Sequence, residues 1–208
     1  MIFPSSVKYN IQPLFPTAVL NCNIGRNLTD IEIKCAQTIS NNVMKGEGNY
    51  QTLNTKVLEL PEFKEISDFI NGALGYYVNT VLKPDNDLKF YITQSWINYT
   101  RSGEYHHKHC HPNSILSGVF YFNTDSSTDK IVFEKPNERI YITSQYPNIY
   151  NSKNTSVKVS IGDLIIFPSE LEHYVPKTVS SDTRVSLAFN TFARGIMGTE
   201  ESLTLVTL

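Results

Sequence analysis

Five histidines occur in the 208-residue chain, and four of them, His106, His107, His109 and His111, fall within the stretch GEYHHKHCHPN. On a β-strand, side chains two positions apart point to the same face, so His109 and His111 can offer two imidazoles to one metal ion. The fifth, His173, lies far along the chain in PSELEHYVP, after an apolar strand and beside a turn. An HxH pair by itself is more often a solvated surface cluster or an adventitious metal site than a built one. Eleven positions after His173 comes Arg184, in TRVSLAFN, a strand of otherwise apolar and small residues. Arginine in such a setting is seldom buried without an anionic partner. An internal salt bridge would supply one, and so would the carboxylate of a small ligand gripped bidentately by the planar guanidinium.

Two neighbouring histidines, a distant third and a downstream arginine are the parts needed to chelate iron(II) and hold a dicarboxylate beside it. Three protein ligands on one face of the ion leave positions for a 2-oxo acid and for O2. The arginine would neutralise the far carboxylate and so fix which end meets the metal.

These side chains need a frame, and its elements are legible in the hydrophobic pattern. Thr29 followed by Glu32 has the spacing of a capping box, after which Ile31, Cys35, Ile39 and Val43 recur at helical spacing. Pro61 opens a second helix, with Phe63, Ile66, Ile70, Leu74, Tyr77 and Val81 forming one apolar stripe directed at a core. From about Leu88 the chain reads as short strands: KFYITQSWINY, LSGVFYFN, KIVFE, VKVSI, DLIIF, EHYVP and RVSLAFN, punctuated by Asn, Asp, Ser, Gly and Pro. The expectation is a mainly β protein with supporting helices, an antiparallel sandwich or barrel that carries the chemistry. Trp96, Phe120, Phe122, Phe167 and Phe189 read as core, and Pro168 as the end of its strand.

With 40% hydrophobic and 18% charged residues, and no repeat or low-complexity linker, residues 1–208 read as one domain able to bury a core without staples. Within it, 1–86 supply helical support and first strands, 87–194 the β core, and 195–208 a C-terminal tail. Eighteen basic against twenty acidic residues, a net charge of −2, disfavour nucleic acid as a partner. No signal-peptide pattern and no apolar run of membrane-spanning length is present, so the expectation is a soluble cytoplasmic protein with no membrane partner. Cys22, Cys35 and Cys110 form no CxxC pair, which argues against a disulfide framework or a zinc knuckle. The Asn-x-Ser/Thr matches at Asn27, Asn98 and Asn154 then carry no glycosylation meaning. A homodimer is left open.

Three segments, SWINYTRSGEYHHKHCHPNSILSGVFYFN, GDLIIFPSELEHYVP and RVSLAFN, resemble in order the 2-oxoglutarate- and iron(II)-dependent oxygenase superfamily, over roughly Ser95 to Asn190. Within it they are similar to a prolyl-hydroxylase-like group common in marine bacteria and their phages. The resemblance implies a double-stranded β-helix of jelly-roll, cupin-like form packed with the N-terminal helices, and iron(II) and 2-oxoglutarate as cofactors. The superfamily carries HxD followed by a distal histidine. With Gly103 aligned to the glycine that precedes that motif, His109 takes the first ligand position, His111 falls where the aspartate should be, and His173 is the third ligand. Three neutral imidazoles leave the ion its full double charge and are a set that zinc also accepts. His107 and Glu104 are alternatives to His111. By the same resemblance Arg184 binds the distal carboxylate of 2-oxoglutarate and Ser186 adds a hydrogen bond, while Asn98 and Tyr121 line the pocket. The implied reaction is hydroxylation, by O2, of an unidentified peptidyl or small-molecule substrate. The segment from about Asn137 to Asn154 is the candidate lid or substrate loop. Two other readings stand beside this one: a cupin-like three-histidine metalloenzyme without 2-oxoglutarate, and a non-catalytic jelly-roll binding module.

Overall fold

The computed structural model describes residues 8–85, 87–135 and 142–208. In chain order the elements are β1 (Leu20–Asn23), α1 (Asp30–Thr38), β2 (Val43–Lys45), β3 (Tyr50–Thr52), α2 (Lys64–Tyr77), β4 (Lys89–Thr100), β5 (His106–His109), β6 (Leu116–Asn123), β7 (Lys130–Glu134), β8 (Asn154–Lys158), β9 (Asp163–Pro168), β10 (His173–Val175), β11 (Arg184–Arg194), β12 (Ile196–Met197) and β13 (Val206–Thr207). Among them, α1 begins at the expected capping box: Thr29 Oγ1 accepts from Glu32 N (3.2 Å) and Glu32 Oε2 accepts from Thr29 N (2.7 Å). The expected stripe of α1 is realised only in part, with Cys35 and Ile39 half-buried against the core. Ile31 is exposed, Val43 belongs to β2, and the helix buries Ala36 and Glu32, whose carboxylate is held by Arg26 at 2.6 Å.

In α2 the stripe is as read through Tyr77, with Phe63 just before the helix and Ile66, Ile70, Leu74 and Tyr77 all buried. Val81 departs from it. A turn of π-helix follows at Val78–Leu82, and its wider i→i+5 spacing shifts the phase, so Val78 is buried and Val81 exposed.

The strands form a seven-stranded sheet in the order β1-β9-β6-β11-β4-β3-β2 and a four-stranded sheet in the order β5-β10-β7-β8, with a small β12-β13 pair at the C-terminal end. Every pairing between these strands is antiparallel. Both faces of the large sheet are covered, which is why β6 and β9 read as near-continuous apolar runs. Outward, Ile97, Phe120, Phe122, Leu164, Leu187 and Phe189 pack with the α2 stripe. Inward, Tyr121, Ile165 and Phe167 meet Ile131 and Phe133 of the small sheet, with Phe133 and Phe167 in edge contact at 5.1 Å. This is the double-stranded β-helix, or jelly roll. Strand β8 starts three residues before the expected VKVSI, and the short strands β1, β2, β3, β5, β12 and β13 carry too little apolar alternation to have been marked. No helix among the described residues is long and apolar enough to cross a membrane.

Gly118 lets β6 lie against its neighbours. A Cβ there would stand 2.3 Å from Phe189 Cζ and 2.9 Å from the Ile165 carbonyl oxygen. Gly118→Ala is therefore expected to destabilise the fold by about 1–3 kcal/mol through overpacking, seen as a lower denaturant midpoint at unchanged slope.

Candidate metal centre

Strands β5 and β10 pair so that His109 lies opposite His173, and His173 is in turn opposite Phe133 of β7. His111 is not on the strand with His109, as its spacing suggested. β5 ends at His109, because Pro112 offers no N–H to continue a ladder and Asn113 turns the chain at φ 56°. A different tether replaces the ladder: His111 N donates to the Ser169 carbonyl at 2.9 Å. His109, His111 and His173 nevertheless converge, with one ring nitrogen of each within 4.8 Å of the others. His111 Nε2 and His173 Nε2 are 3.3 Å apart. Two nitrogens each about 2.0–2.1 Å from a shared ion lie roughly 2.9–3.4 Å apart at ordinary coordination angles, so this pair already has metal-binding separation.

The tautomers are set by backbone. His109 Nδ1 donates to the His107 carbonyl (2.8 Å) and His173 Nδ1 to the Leu171 carbonyl (2.9 Å). Each ring is thereby turned with its Nε2 lone pair free toward the centre, the usual outer-shell arrangement of a ligating histidine. Burial holds all three rings neutral: His111 is pushed down to about 3 by desolvation and then by His173 and His109. His173 falls to about 4, and His109 is also lowered, each by desolvation first.

A serine cluster that no motif singled out braces the two loops. Ser169, itself buried, hydrogen-bonds Ser117 Oγ (2.8 Å) and Ser114 Oγ (2.7 Å) through its hydroxyl and Ile115 O through its N–H (3.1 Å). It thus ties the segment bearing His111 to the turn bearing His173. Of the alternatives to His111, Glu104 is spent on the backbone N–H of Arg101 (2.8 Å) and joins no cluster. His107 joins a different one, with His106 and His109. His106 was also missed: its position, odd relative to His107 and His109, puts it on the wrong face of a regular strand.

The second group of expected residues meets on the inner face of the large sheet. Ser186 pairs with Asn98 on β4 and with Tyr121 on β6, and Arg184 pairs with Thr100. Arg184, Ser186, Asn98 and Tyr121 are all buried. The Arg184 guanidinium carbon lies 5.2 Å from the centre of the Tyr121 ring. Among the described residues no carboxylate pairs with Arg184, which removes the internal salt bridge. Its Nε, the Tyr121 hydroxyl and Asn98 Oδ1 are buried without a hydrogen-bond partner. Three orphaned polar atoms around one buried cation are a cradle for an anion. Trp96, two positions before Asn98, stands 6.0 Å from the His111 ring, and Phe167 is 4.6 Å from His173. These two expected core aromatics also wall the metal set.

Residues 94–190 match the family model described as "Putative 2OG-Fe(II) oxygenase". That segment of the chain is similar to the 2OG-Fe(II) oxygenases. Solved structures agree in fold. A prolyl-4-hydroxylase from Pseudomonas putida superposes with a TM-score of 0.52 at 14% identity, covering 84% of this chain and 92% of that one. HygX from Streptomyces hygroscopicus, with nickel and 2-oxoglutarate bound, gives 0.55 at 9% identity over 84% and 82%. The viral collagen prolyl hydroxylase of Paramecium Bursaria Chlorella virus-1, in complex with 2OG, gives 0.53 at 13% over 83% and 94%. No curated protein sequence matches the chain. A cavity of about 600 Å³ lies behind the sheet between α1 and residues such as Tyr99, Phe122 and Val185, on the face opposite Arg184.

The neutral imidazoles make the metal-free protein acid-sensitive. The unfolded chain takes up protons near pH 6.5, while the folded rings refuse them until about pH 3 to 4. Stability is therefore full above 6.5 and is lost as pH falls below it. The urea midpoint of the metal-free chain is expected to drop between pH 7 and pH 5, and the drop to be smaller in His111→Gln.

Proposed function

We propose that this protein is a 2OG-Fe(II) oxygenase that holds iron(II) through the Nε2 atoms of His109, His111 and His173, holds 2-oxoglutarate by its distal carboxylate at Arg184, and hydroxylates a peptidyl side chain or a small molecule. The observation that carries the reading is the buried Arg184, with no carboxylate partner among the described residues, on the inner face of the large sheet, the face from which Trp96 meets His111. A buried guanidinium without an anion is costly, and a dianionic cosubstrate removes the cost. The residues fit the metal as well: three neutral imidazoles, two of them oriented by backbone carbonyls, form a donor set for a borderline divalent ion.

Bound together, iron(II) and 2-oxoglutarate supply the oxidising power, by which 2-oxoglutarate loses CO2 to become succinate while one atom of O2 enters the substrate. The protein's part is placement. Arg184 accepts the far carboxylate in a fork, with the Ser186 and Tyr121 hydroxyls as donors beside it and the Asn98 amide on the neighbouring strand. That grip turns the 2-oxo acid end toward the imidazoles. Trp96 and Phe167 exclude water around His111 and His173, and the rings stay neutral so that their lone pairs remain available.

The β7–β8 connection supports a substrate-binding role for part of the expected loop. It leaves β7 one residue after Phe133, the strand partner of His173, and exposes Tyr146 (76%), Ile149 (80%) and Tyr150 (46%). Residues 137–141 lie outside the described residues.

The test is calorimetric titration of the Ni(II)-loaded protein with 2-oxoglutarate. Wild type is expected to bind it, and Arg184→Ala to lose about 2–3 kcal/mol, roughly 30- to 150-fold in affinity, as for a hydrogen-bonded charged group. Equal affinity in the two proteins would move the reading to a three-histidine metalloenzyme that does not use the 2-oxo acid.

A further inference from the structure

The structure contains a second group of three imidazoles. His106, His107 and His109 bring one ring nitrogen each within 4.8 Å of the others, with ring centres 4.5 Å (His106–His109), 4.8 Å (His107–His109) and 5.2 Å (His106–His107) apart. His107 and His109 share a face by the two-residue period of a strand. His106 would point the other way on a regular strand. It joins them because the ladder is irregular: from His173 to Val175, β10 advances two residues while β5 advances three, from His109 to His106. One extra residue in β5 is a β-bulge, the device that re-aims a side chain beside an active site.

We propose that His106, His107 and His109 form an outer position for a borderline divalent transition metal, from which the ion is handed to His109, His111 and His173. The inference rests on the inner site of the proposed function for its destination, not for its own ligands. Two features support a relay. The outer residues are all partly exposed, whereas the inner set includes the buried His173, and β5 is the edge strand of its sheet, so an ion from solvent meets the outer set first. The sets also share a single donor. His109 Nδ1 is committed to the His107 carbonyl, leaving one Nε2 lone pair, which binds one ion at a time. Occupancy of the two positions is thus exclusive, and transfer is an exchange of His106 and His107 for His111 and His173 around a ligand that stays attached. Fe(II), Co(II), Ni(II) and Zn(II) all accept imidazole.

Co(II) is the probe, read by its visible ligand-field absorption, with full-length protein free of any histidine tag and each variant checked for folding by circular dichroism. His111→Ala/His173→Ala leaves only the outer set and is expected to bind one equivalent of Co(II) more weakly than wild type, and to lose it when His107→Ala is added. His107→Ala alone keeps the backbone carbonyl that orients His109. It is expected to reach the wild-type end point but to load several-fold more slowly in stopped flow. Folded His111→Ala/His173→Ala protein that binds no more Co(II) than His109→Ala overturns the outer position and leaves the inner site standing, and wild-type loading in His107→Ala overturns the transfer from it. Wild-type affinity in His111→Ala/His173→Ala would instead confirm the outer position as a metal site and overturn its transfer to the inner one.

Discussion

A guanidinium that is 3% exposed and faces no carboxylate among the described residues is the constraint around which this protein is arranged. Arg184 opens β11, which runs between β4 and β6 inside the large sheet, so its side chain is directed to the inner face rather than out to water. The neighbours on that face, Asn98, Tyr121 and Ser186, are polar and two of them carry orphaned atoms. A fold selected for stability alone would fill this face with apolar side chains, as it does on the reverse with Ile97, Phe120 and Leu187. The ligand-free molecule instead carries an unpaid desolvation of charge, and the anion that relieves it is also what stabilises the folded state by mass action.

The metal set imposes a complementary condition. Its three imidazoles are neutral and no carboxylate among the described residues joins them, so a divalent ion bound there would keep its whole charge until an anionic ligand arrives. Under the proposed function, Arg184 and the metal would both draw negative charge from the same dicarboxylate, one at each end, which would couple metal and cosubstrate binding more tightly than a carboxylate ligand would. The positions are enforced from the backbone outward: carbonyls at His107 and Leu171 fix two rings, and Ser169 joins the loop of the third to the turn of His173.

Much of this was legible in the residues, for identifiable reasons. The strands β4, β6, β9 and β11 announced themselves because burial on both faces demands apolar runs, and Arg184 stood out against its strand, whereas Asn98 and Tyr121 were read only through the resemblance. Helix α2 was clear until Tyr77, where π geometry broke the period. Features set by tertiary hydrogen bonds were not legible. Ile31 has the right spacing but is exposed, because Glu32 is drawn inward by Arg26. His111 reaches the metal set from a loop rather than a strand, and nothing in FPS marked Ser169 as a brace. His106 depended on a bulge, which a period-two reading excludes.

The central claim, that one ion and one dicarboxylate are held between the imidazole set and Arg184, is tested most directly by adding iron(II) and then 2-oxoglutarate to the metal-free protein without oxygen and recording the visible spectrum. A weak charge-transfer band that forms only when both are present is the predicted result, since it reports the 2-oxo acid chelating iron at the protein. Iron bound at one equivalent with no such band at saturating 2-oxoglutarate would contradict it.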